Sequence, residues 1–155
     1  MMRFISYIFL LGCTWFQPVR AQVAVTDLRC ESRVEPMGID DPMPRLSWQL
    51  RSAQRNVRQT SYRVLVATSR AKLDRNEADI WDSGDVDTQQ SVQNPCTSDI
   101  AFQSSRRYYW KVRVKTNKGI SSWSRPATWT MGLLRPEDWG DARWIGLDKA
   151  SPWDS

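Results

Sequence analysis

The alternating pattern of residues 107–115 constrains the fold of this chain more than any other sequence feature. Every second residue is apolar or aromatic, and the residues between them are mostly basic: Tyr108, Trp110, Val112 and Val114 alternate with Tyr109, Lys111, Arg113 and Lys115. Successive side chains of a β-strand point to opposite faces of the sheet. The pattern therefore predicts a strand with one buried face and one charged face. Asn117 and Gly119 follow, and both tolerate the positive φ of a turn.

Four other segments show related patterns. Residues 45–50 place Leu46, Trp48 and Leu50 on one face, and residues 127–131 alternate in the same way. Residues 61–68 are apolar on both faces, which is typical of a central strand. The apolar positions of residues 23–30 change parity, which predicts a bulge near Thr26. Residues 80–84 and 100–102 are predicted to be short edge strands.

These strands predict an all-β fold. Six or seven short strands, separated by turns every eight to twelve residues, are typical of an antiparallel sandwich of two sheets. Three prolines between residues 35 and 44 exclude a helix there. The only helix that the sequence favours is short, at residues 71–79 with Ser69 as its N-cap.

Two resemblances sharpen this expectation. Tyr108, at the start of the penultimate strand, matches the tyrosine corner of fibronectin type III and immunoglobulin-like domains, where the phenol bonds to upstream backbone. An ordered set of motifs then resembles the N-terminal region of bacterial α-L-rhamnosidases along nearly all of the chain. The motifs are Leu28-Arg29-Cys30-Glu31, Met37-Gly38-Ile39-Asp40, Pro44-Arg45-Leu46-Ser47-Trp48, Gln59-Thr60-Ser61-Tyr62, Trp81-Asp82-Ser83-Gly84, Tyr108-Tyr109-Trp110-Lys111-Val112-Arg113-Val114, Trp123-Ser124, Gly132-Leu133-Leu134 and Asp138-Trp139.

The resemblance implies a domain division and a missing catalytic part. Residues 1–21 are predicted to be a signal peptide, 22–134 the sandwich, and 135–155 a linker with the first strand of a second β-domain at 142–146. In that family a helical toroid performs catalysis, and 155 residues cannot contain it. We therefore expect a piece of a glycosidase, truncated before its catalytic domain, whose main partners are the missing downstream domains.

The signal-peptide prediction depends on residues 1–21. A charged start at Arg3, an apolar run at 4–16, and small residues at Val19 and Ala21 are typical of a secretory signal, and the run is too short to span a bilayer. We expect a periplasmic or secreted protein. The alternative interpretation is a lipobox at residues 10–13, which would anchor an acylated Cys13 to a membrane.

Catalytic chemistry has few candidate residues. The chain has no histidine, so the Ser-His and Cys-His arrangements are excluded and no catalytic, metal or cofactor residue is predicted. Glycoside hydrolysis needs only two carboxylates, and the acids weighed for that role are Asp40, Asp41, Asp79, Asp82, Asp85 and Asp87. All lie in turn-rich segments, where Asp usually bonds local backbone. Asp74 and Asn76 resemble a calcium loop, but Ala78 and Asp79 break its pattern.

Tryptophans and cysteines complete the candidates. Trp48, Trp110 and Trp129 are predicted to be core residues, and Trp81 and Trp123 to pack at strand ends. Trp139, Trp144 and Trp153 are expected to face the missing neighbour. Cys30 and Cys96 are interpreted as small buried hydrophobes, slightly in preference to a disulfide-bonded pair.

The sequence favours a structural module over a binding module. Basic residues are scattered among acids despite the net charge of +5, so nucleic-acid binding is not expected. The leading hypothesis is a non-catalytic N-terminal module of an α-L-rhamnosidase. The alternative is a free-standing module that binds a glycan or a protein.

Overall fold

A computed structural model describes residues 23–143. Nine strands lie in this part of the chain, together with one α-helix, α1 (Arg70–Asp74), and one 3-10 helix at Pro136–Trp139. The strands are β1 (Ala24–Cys30), β2 (Arg45–Arg51), β3 (Gln59–Ala67), β4 (Trp81–Asp82), β5 (Val86–Asp87), β6 (Asn94–Pro95), β7 (Arg107–Thr116), β8 (Gly119–Ile120) and β9 (Ala127–Thr130). No helix within residues 23–143 has the length and apolar character that crossing a membrane requires.

The strands form two antiparallel sheets. The first has the order β1-β2-β6. In the second, β3 and β7 are central: β4 and β5 pair with β3, while β8 and β9 pair with β7. The predicted two-sheet sandwich is confirmed, and so is the central position of the strand near residues 61–68. The count of nine exceeds the predicted six or seven because several edge strands are two-residue segments.

The inner faces of the sheets share one apolar core. The alternating residues predicted to face inward on β7 are at most 1% exposed, as are Leu46 and Trp129 on other strands. Phe102, Tyr108 and Trp129 meet at ring-centre distances of 4.9 to 5.7 Å. The two contacts of Phe102 are edge-to-face, a geometry that stabilises beyond the area that is buried. The alternation in the sequence thus follows the division between core and solvent.

One buried polar network crosses the sandwich. The indole N–H of Trp48 donates to the side-chain oxygen of Gln59 at 3.0 Å. The amide nitrogen of Gln59 donates in turn to the carbonyls of Thr88 and Gln90. Since a buried polar group is costly when it has no partner, these bonds let Trp48 and Gln59 stay in the interior while holding the segment before β6 in place.

The predicted bulge in the first strand is present. The register of β1 on β2 shifts between Thr26 and Arg29, and Asp27 has a φ of 50°. The extra residue reverses the parity of the strand, so Val25 and Cys30 both reach the core. A bulge also twists an edge strand away from further pairing.

Two local predictions were wrong. Residues 100–102 are not a strand: Phe102 is buried through its ring contacts, while Ser98 bonds the backbone of Ile100. The nearby edge strand is Asn94–Pro95 instead. The helix predicted at 71–79 spans only Arg70–Asp74, because Asn76 adopts a φ of 60° and ends it. Its predicted cap is correct, since Ser69 accepts from the backbone N–H of Lys72.

The connection between β1 and β2 covers part of the β9 edge. Thr130 donates its N–H to the carbonyl of Pro36 and accepts from the N–H of Ile39, at 2.9 and 3.0 Å. Gly38 lies between these contacts with a φ of 73°, a backbone conformation that favours glycine. Its backbone lies about 3.4 Å from where a Cβ on Gly132 would stand. Two glycines thus allow two segments of backbone to approach closely.

Candidate functional surfaces

The acid with the most contacts among the catalytic candidates is Asp79. Its carboxylate accepts from the backbone N–H and hydroxyl of Thr68 and from the ammonium of Lys72, at 2.9, 2.6 and 2.5 Å. Burial opposes ionisation, but these donors outweigh it and lower the pKa of Asp79 to about 2. A carboxyl that is always ionised near neutral pH cannot donate a proton as a general acid. The role of Asp79 is structural instead, because its bonds to Thr68 and Lys72 join the end of β3 to α1.

The remaining candidate acids lie at the surface. Asp82 forms a two-pronged ion pair with Arg63 on the neighbouring strand, at 2.9 and 2.6 Å, and the Arg63 guanidinium lowers the pKa of Asp82. Asp41 accepts from the backbone N–H of Met43 at 2.8 Å, which is an ordinary turn contact. The side chains of three further acids are exposed: Asp40, Asp85 and Asp87.

The calcium-like pattern at Asp74 and Asn76 has a different structural use. The side-chain oxygen of Asn76 accepts from the ammonium of Lys111 at 2.7 Å, and the same ammonium bonds the carbonyl of Leu73. Lys111 is 5% exposed, and its burial lowers its pKa. The ammonium of Lys111 therefore already occupies the side-chain oxygen of Asn76, which a calcium ion would need as a ligand. Lys111 thus caps the C-terminal end of α1 and ties the helix to the outer face of β7.

Trp123 belongs to the same outer cluster. The ammonium of Lys111 lies 5.0 Å from its ring centre, and the guanidinium carbon of Arg113 lies 4.9 Å away. Cation–π contacts of this kind are worth about 0.5–1 kcal/mol at exposed sites. Together with Leu65, Ala67 and Leu73, Trp123 forms a small second core under α1.

The tryptophans predicted to be core or strand-end residues lie where the sequence predicts. Trp48, Trp110 and Trp129 are core residues that are at most 2% exposed. Trp81 packs at the edge of the main core. Trp139 is 52% exposed, while Trp144 and Trp153 lie outside the described residues.

Cys30 and Cys96 are free, buried thiols. Both contribute to the main core, and burial raises the pKa of Cys30 to about 12 and that of Cys96 further. Cys30 is the last residue of β1 and Cys96 directly follows β6, and these two strands pair with opposite edges of β2. Two strand spacings amount to about 10 Å, beyond the Cα separation of about 7 Å that a disulfide allows. The interpretation of the two cysteines as small hydrophobes agrees with this geometry.

An open groove of about 630 Å³ separates β1 from the segment that leads into β9. Its apolar lining includes Val25, Leu28, Val34, Trp123, Pro126 and Ala127. Asp27 lies in this groove but is paired with Arg29 at 3.1 Å. Glu35 also lines the groove, and its side chain is exposed. The groove thus offers mainly shape and apolar surface, with one of its two carboxylates held in an ion pair.

Sequence reasoning missed one polar cluster that holds the end of the sandwich. Asp138 accepts from the hydroxyl of Ser104 and from the backbone N–H of Arg135. Residues 135–155 were predicted to be a linker with the first strand of a second β-domain; in their described part, up to residue 143, a 3-10 turn is bonded to the sandwich. Pro136 at the first position and Asp138 in the first turn are a known start signal for helices, so the turn was detectable. Its partner Ser104, more than thirty residues away, was not.

The comparisons with known proteins agree with this architecture. The profile of a family described as "Rha78A-like, N-terminal immunoglobulin domain" matches residues 25–135. The chain belongs to this family. Its sandwich is therefore immunoglobulin-like, and the resemblance to the N-terminal region of α-L-rhamnosidases is confirmed.

Relatives with solved structures share the fold. An α-L-rhamnosidase of Streptomyces avermitilis, crystallised with L-rhamnose, is 39% identical over 76% of this chain and 11% of its own, with a TM-score of 0.71. The enzyme of Dictyoglumus thermophilum is 33% identical over 76% of this chain and 13% of its own, with a TM-score of 0.72.

Curated sequences agree with the solved structures. An α-L-rhamnosidase of Formosa agariphila is 32% identical over 90% of this chain. The chain spans only 12 to 15% of the length of the curated relatives it matches.

Proposed function

We propose that this chain is the non-catalytic N-terminal sandwich of an α-L-rhamnosidase, and that it supports domains which carry the activity. The observation that carries the proposal is the family match over residues 25–135, which spans the sandwich from β1 to past the end of β9. The relatives that share this region are named α-L-rhamnosidases, and most of their length lies outside it. A supporting role, rather than a binding module that acts alone, accounts for that arrangement.

The candidate acids support the non-catalytic role. Retaining and inverting glycosidases both need one carboxyl that donates a proton and a second carboxylate across the sugar. Asp79 and Asp82 are held ionised by basic neighbours. Asp41 is committed to a turn, and the other three acids are exposed. No pair among these six acids thus combines a proton donor with an enclosed position for a sugar.

We further propose that the protein is exported. Residues 1–21, which lie outside the described residues, have the composition of a secretory signal. Val23 is already buried next to the start of β1. Cleavage after Ala21 would therefore leave the sandwich intact. N-terminal sequencing of the exported protein tests this: a start at Gln22 supports the signal, and an acylated Cys13 would show a lipoprotein instead.

The function is tested with the purified chain. We expect no release of nitrophenol from p-nitrophenyl α-L-rhamnopyranoside above a buffer blank, and no heat of binding with millimolar L-rhamnose. The Streptomyces avermitilis enzyme serves as the positive control in both assays. Turnover that persists through repurification would contradict the proposal. Saturable rhamnose binding by the chain alone would favour the binding-module alternative.

A further inference from the structure

The segment that follows β9 is bonded to the sandwich at several points. The backbone N–H of Ser105 donates to the carbonyl of Gly132 at 3.0 Å. The N–H of Leu134 donates to the hydroxyl oxygen of Ser104 at 3.0 Å. That hydroxyl donates in turn to the carboxylate of Asp138, which also accepts from the N–H of Arg135 at 2.9 Å. One serine hydroxyl thus connects both sides of the turn to the loop before β7.

The loop that carries Ser104 is itself fixed to the core. The N–H of Gln103 donates to the hydroxyl oxygen of Tyr108 at 2.8 Å, and Tyr108 is 1% exposed. Arg106 donates its N–H to the carbonyl of Gln103 and accepts from the N–H of Met131. The contacts therefore run without interruption from the core ring of Tyr108, through Gln103 and Ser104, to Asp138.

The contacts continue beyond Asp138 toward the end of the described residues. Gly140 donates its N–H to the carbonyl of Glu137, and Ala142 donates to the carbonyl of Trp139, at 3.1 and 3.0 Å. Asp138 is well suited to hold the first turn, because a carboxylate bonded to backbone N–H groups at a helix start is stabilising. The same contacts, led by the Ser104 hydroxyl, lower the pKa of Asp138.

We propose that the Ser104–Asp138 pair makes residues 133–142 a rigid joint, which fixes the direction in which the polypeptide leaves the sandwich. A flexible linker would lack side-chain bonds back to the domain and would be free to rotate. In this chain both Leu134 and Arg135 have their N–H groups satisfied by the pair. A domain that followed the joint would be held at a set angle. Rigidity of the joint is measured on this chain without rhamnose, so its outcome is independent of the proposed function.

The experiment measures backbone motion in the 155-residue chain labelled with ¹⁵N. The heteronuclear NOE at Gly140 and Ala142 should equal the average for β7, and the amides of Leu134 and Arg135 should be protected from hydrogen exchange. Asp138→Ala and Ser104→Ala should both lower the NOE and speed exchange at Leu134 and Arg135 by about tenfold or more. The spectra of the β7 amides report in each variant that the sandwich remains folded.

Two matched variants separate the joint from general effects. Glu137→Ala removes an acid from the same turn; within residues 23–143, Glu137 forms a surface ion pair with Arg135 at 3.6 Å. Ser104→Thr keeps the hydroxyl. Both should leave the NOE and the exchange rates unchanged. The proposal is overturned if the wild-type NOE at Gly140 and Ala142 is far below that of β7. It is equally overturned if both alanine variants match wild type, or if Ser104→Thr behaves like Ser104→Ala.

Discussion

The hydroxyl of Tyr108 should stabilise the sandwich measurably, and Tyr108→Phe isolates its effect. The ring is 1% exposed and packs at 4.9 Å against Phe102 and 5.7 Å against Trp129, so phenylalanine keeps these contacts. The substitution removes only the acceptor of the Gln103 N–H at 2.8 Å. A buried donor left unpaired costs about 1–3 kcal/mol. Because the side chain of Gln103 is exposed and water can approach that loop, we expect a loss near the lower half of this range, about 1.5 kcal/mol.

Urea denaturation followed by tryptophan fluorescence measures this loss. With an m-value of about 1.5 kcal/mol per molar urea, the midpoint should fall by about 1 M while the m-value stays unchanged. Tyr109→Phe is the matched control, since its ring packs on the outer face against the cluster of Leu65, Ala67 and Leu73, and no hydrogen bond of its hydroxyl occurs among the described residues. The control should shift the midpoint by less than about 0.3 M. An unchanged midpoint for Tyr108→Phe, or equal shifts for both variants, would refute the tyrosine corner.

Three further predictions concern an ion pair, the thiols and a glycine. The folded-state pKa of Asp79 is lowered to about 2, so its stabilisation is present above the unfolded value of about 3.9 and lost as pH falls through 2. Asp79→Asn should therefore lower the free energy of unfolding by about 1 kcal/mol at pH 7, discounted for partial exposure, and by less at pH 3; an equal loss at both would exclude the charge as its cause. Cys30 and Cys96 should react with Ellman's reagent only after unfolding, because burial raises both pKa values; rapid labelling under native conditions would contradict their burial. Gly38→Ala should cost about 1 kcal/mol in thermal melts, since its φ of 73° disfavours a Cβ although no atom lies within 4 Å of one; an unchanged melting temperature would show that the loop can relax.

Alternation in the sequence predicted the long strands because it records which residues face the core. On β7 the side chains of Tyr108 and Val112 are buried, while Arg107 and Lys115 on the other face are exposed. The parity change at Thr26 predicted the bulge for the same reason. Lys111 departs from the pattern: it lies on the outer face, yet α1 covers it. The alternation of a strand shows which residues face the core, but it does not show that a helix packs on the outer face.

The errors arose where tertiary contacts replaced local pattern. Residues 100–102 have the composition of a strand, but Phe102 is buried through contacts with Tyr108 and Trp129, which no local pattern shows. The edge strand at Asn94–Pro95 was missed because a proline argues against a strand in a sequence pattern. Edge strands tolerate proline, but only the fold shows that this strand lies at an edge. The Ser104–Asp138 pair joins residues that are distant in the chain. In these cases the deciding partner lies elsewhere in the sequence.

The central claim, that this sandwich serves as the N-terminal module of an α-L-rhamnosidase, is tested most directly by exchanging it into such an enzyme. Residues 25–135 would replace the matching segment of the Streptomyces avermitilis protein, to which the chain is 40% identical over 122 residues. We predict a folded chimera whose kcat/KM on p-nitrophenyl α-L-rhamnopyranoside is within about tenfold of the parent, a loss of at most about 1.4 kcal/mol in transition-state stabilisation. A chimera that misfolds, although the isolated chain folds, would contradict the claim.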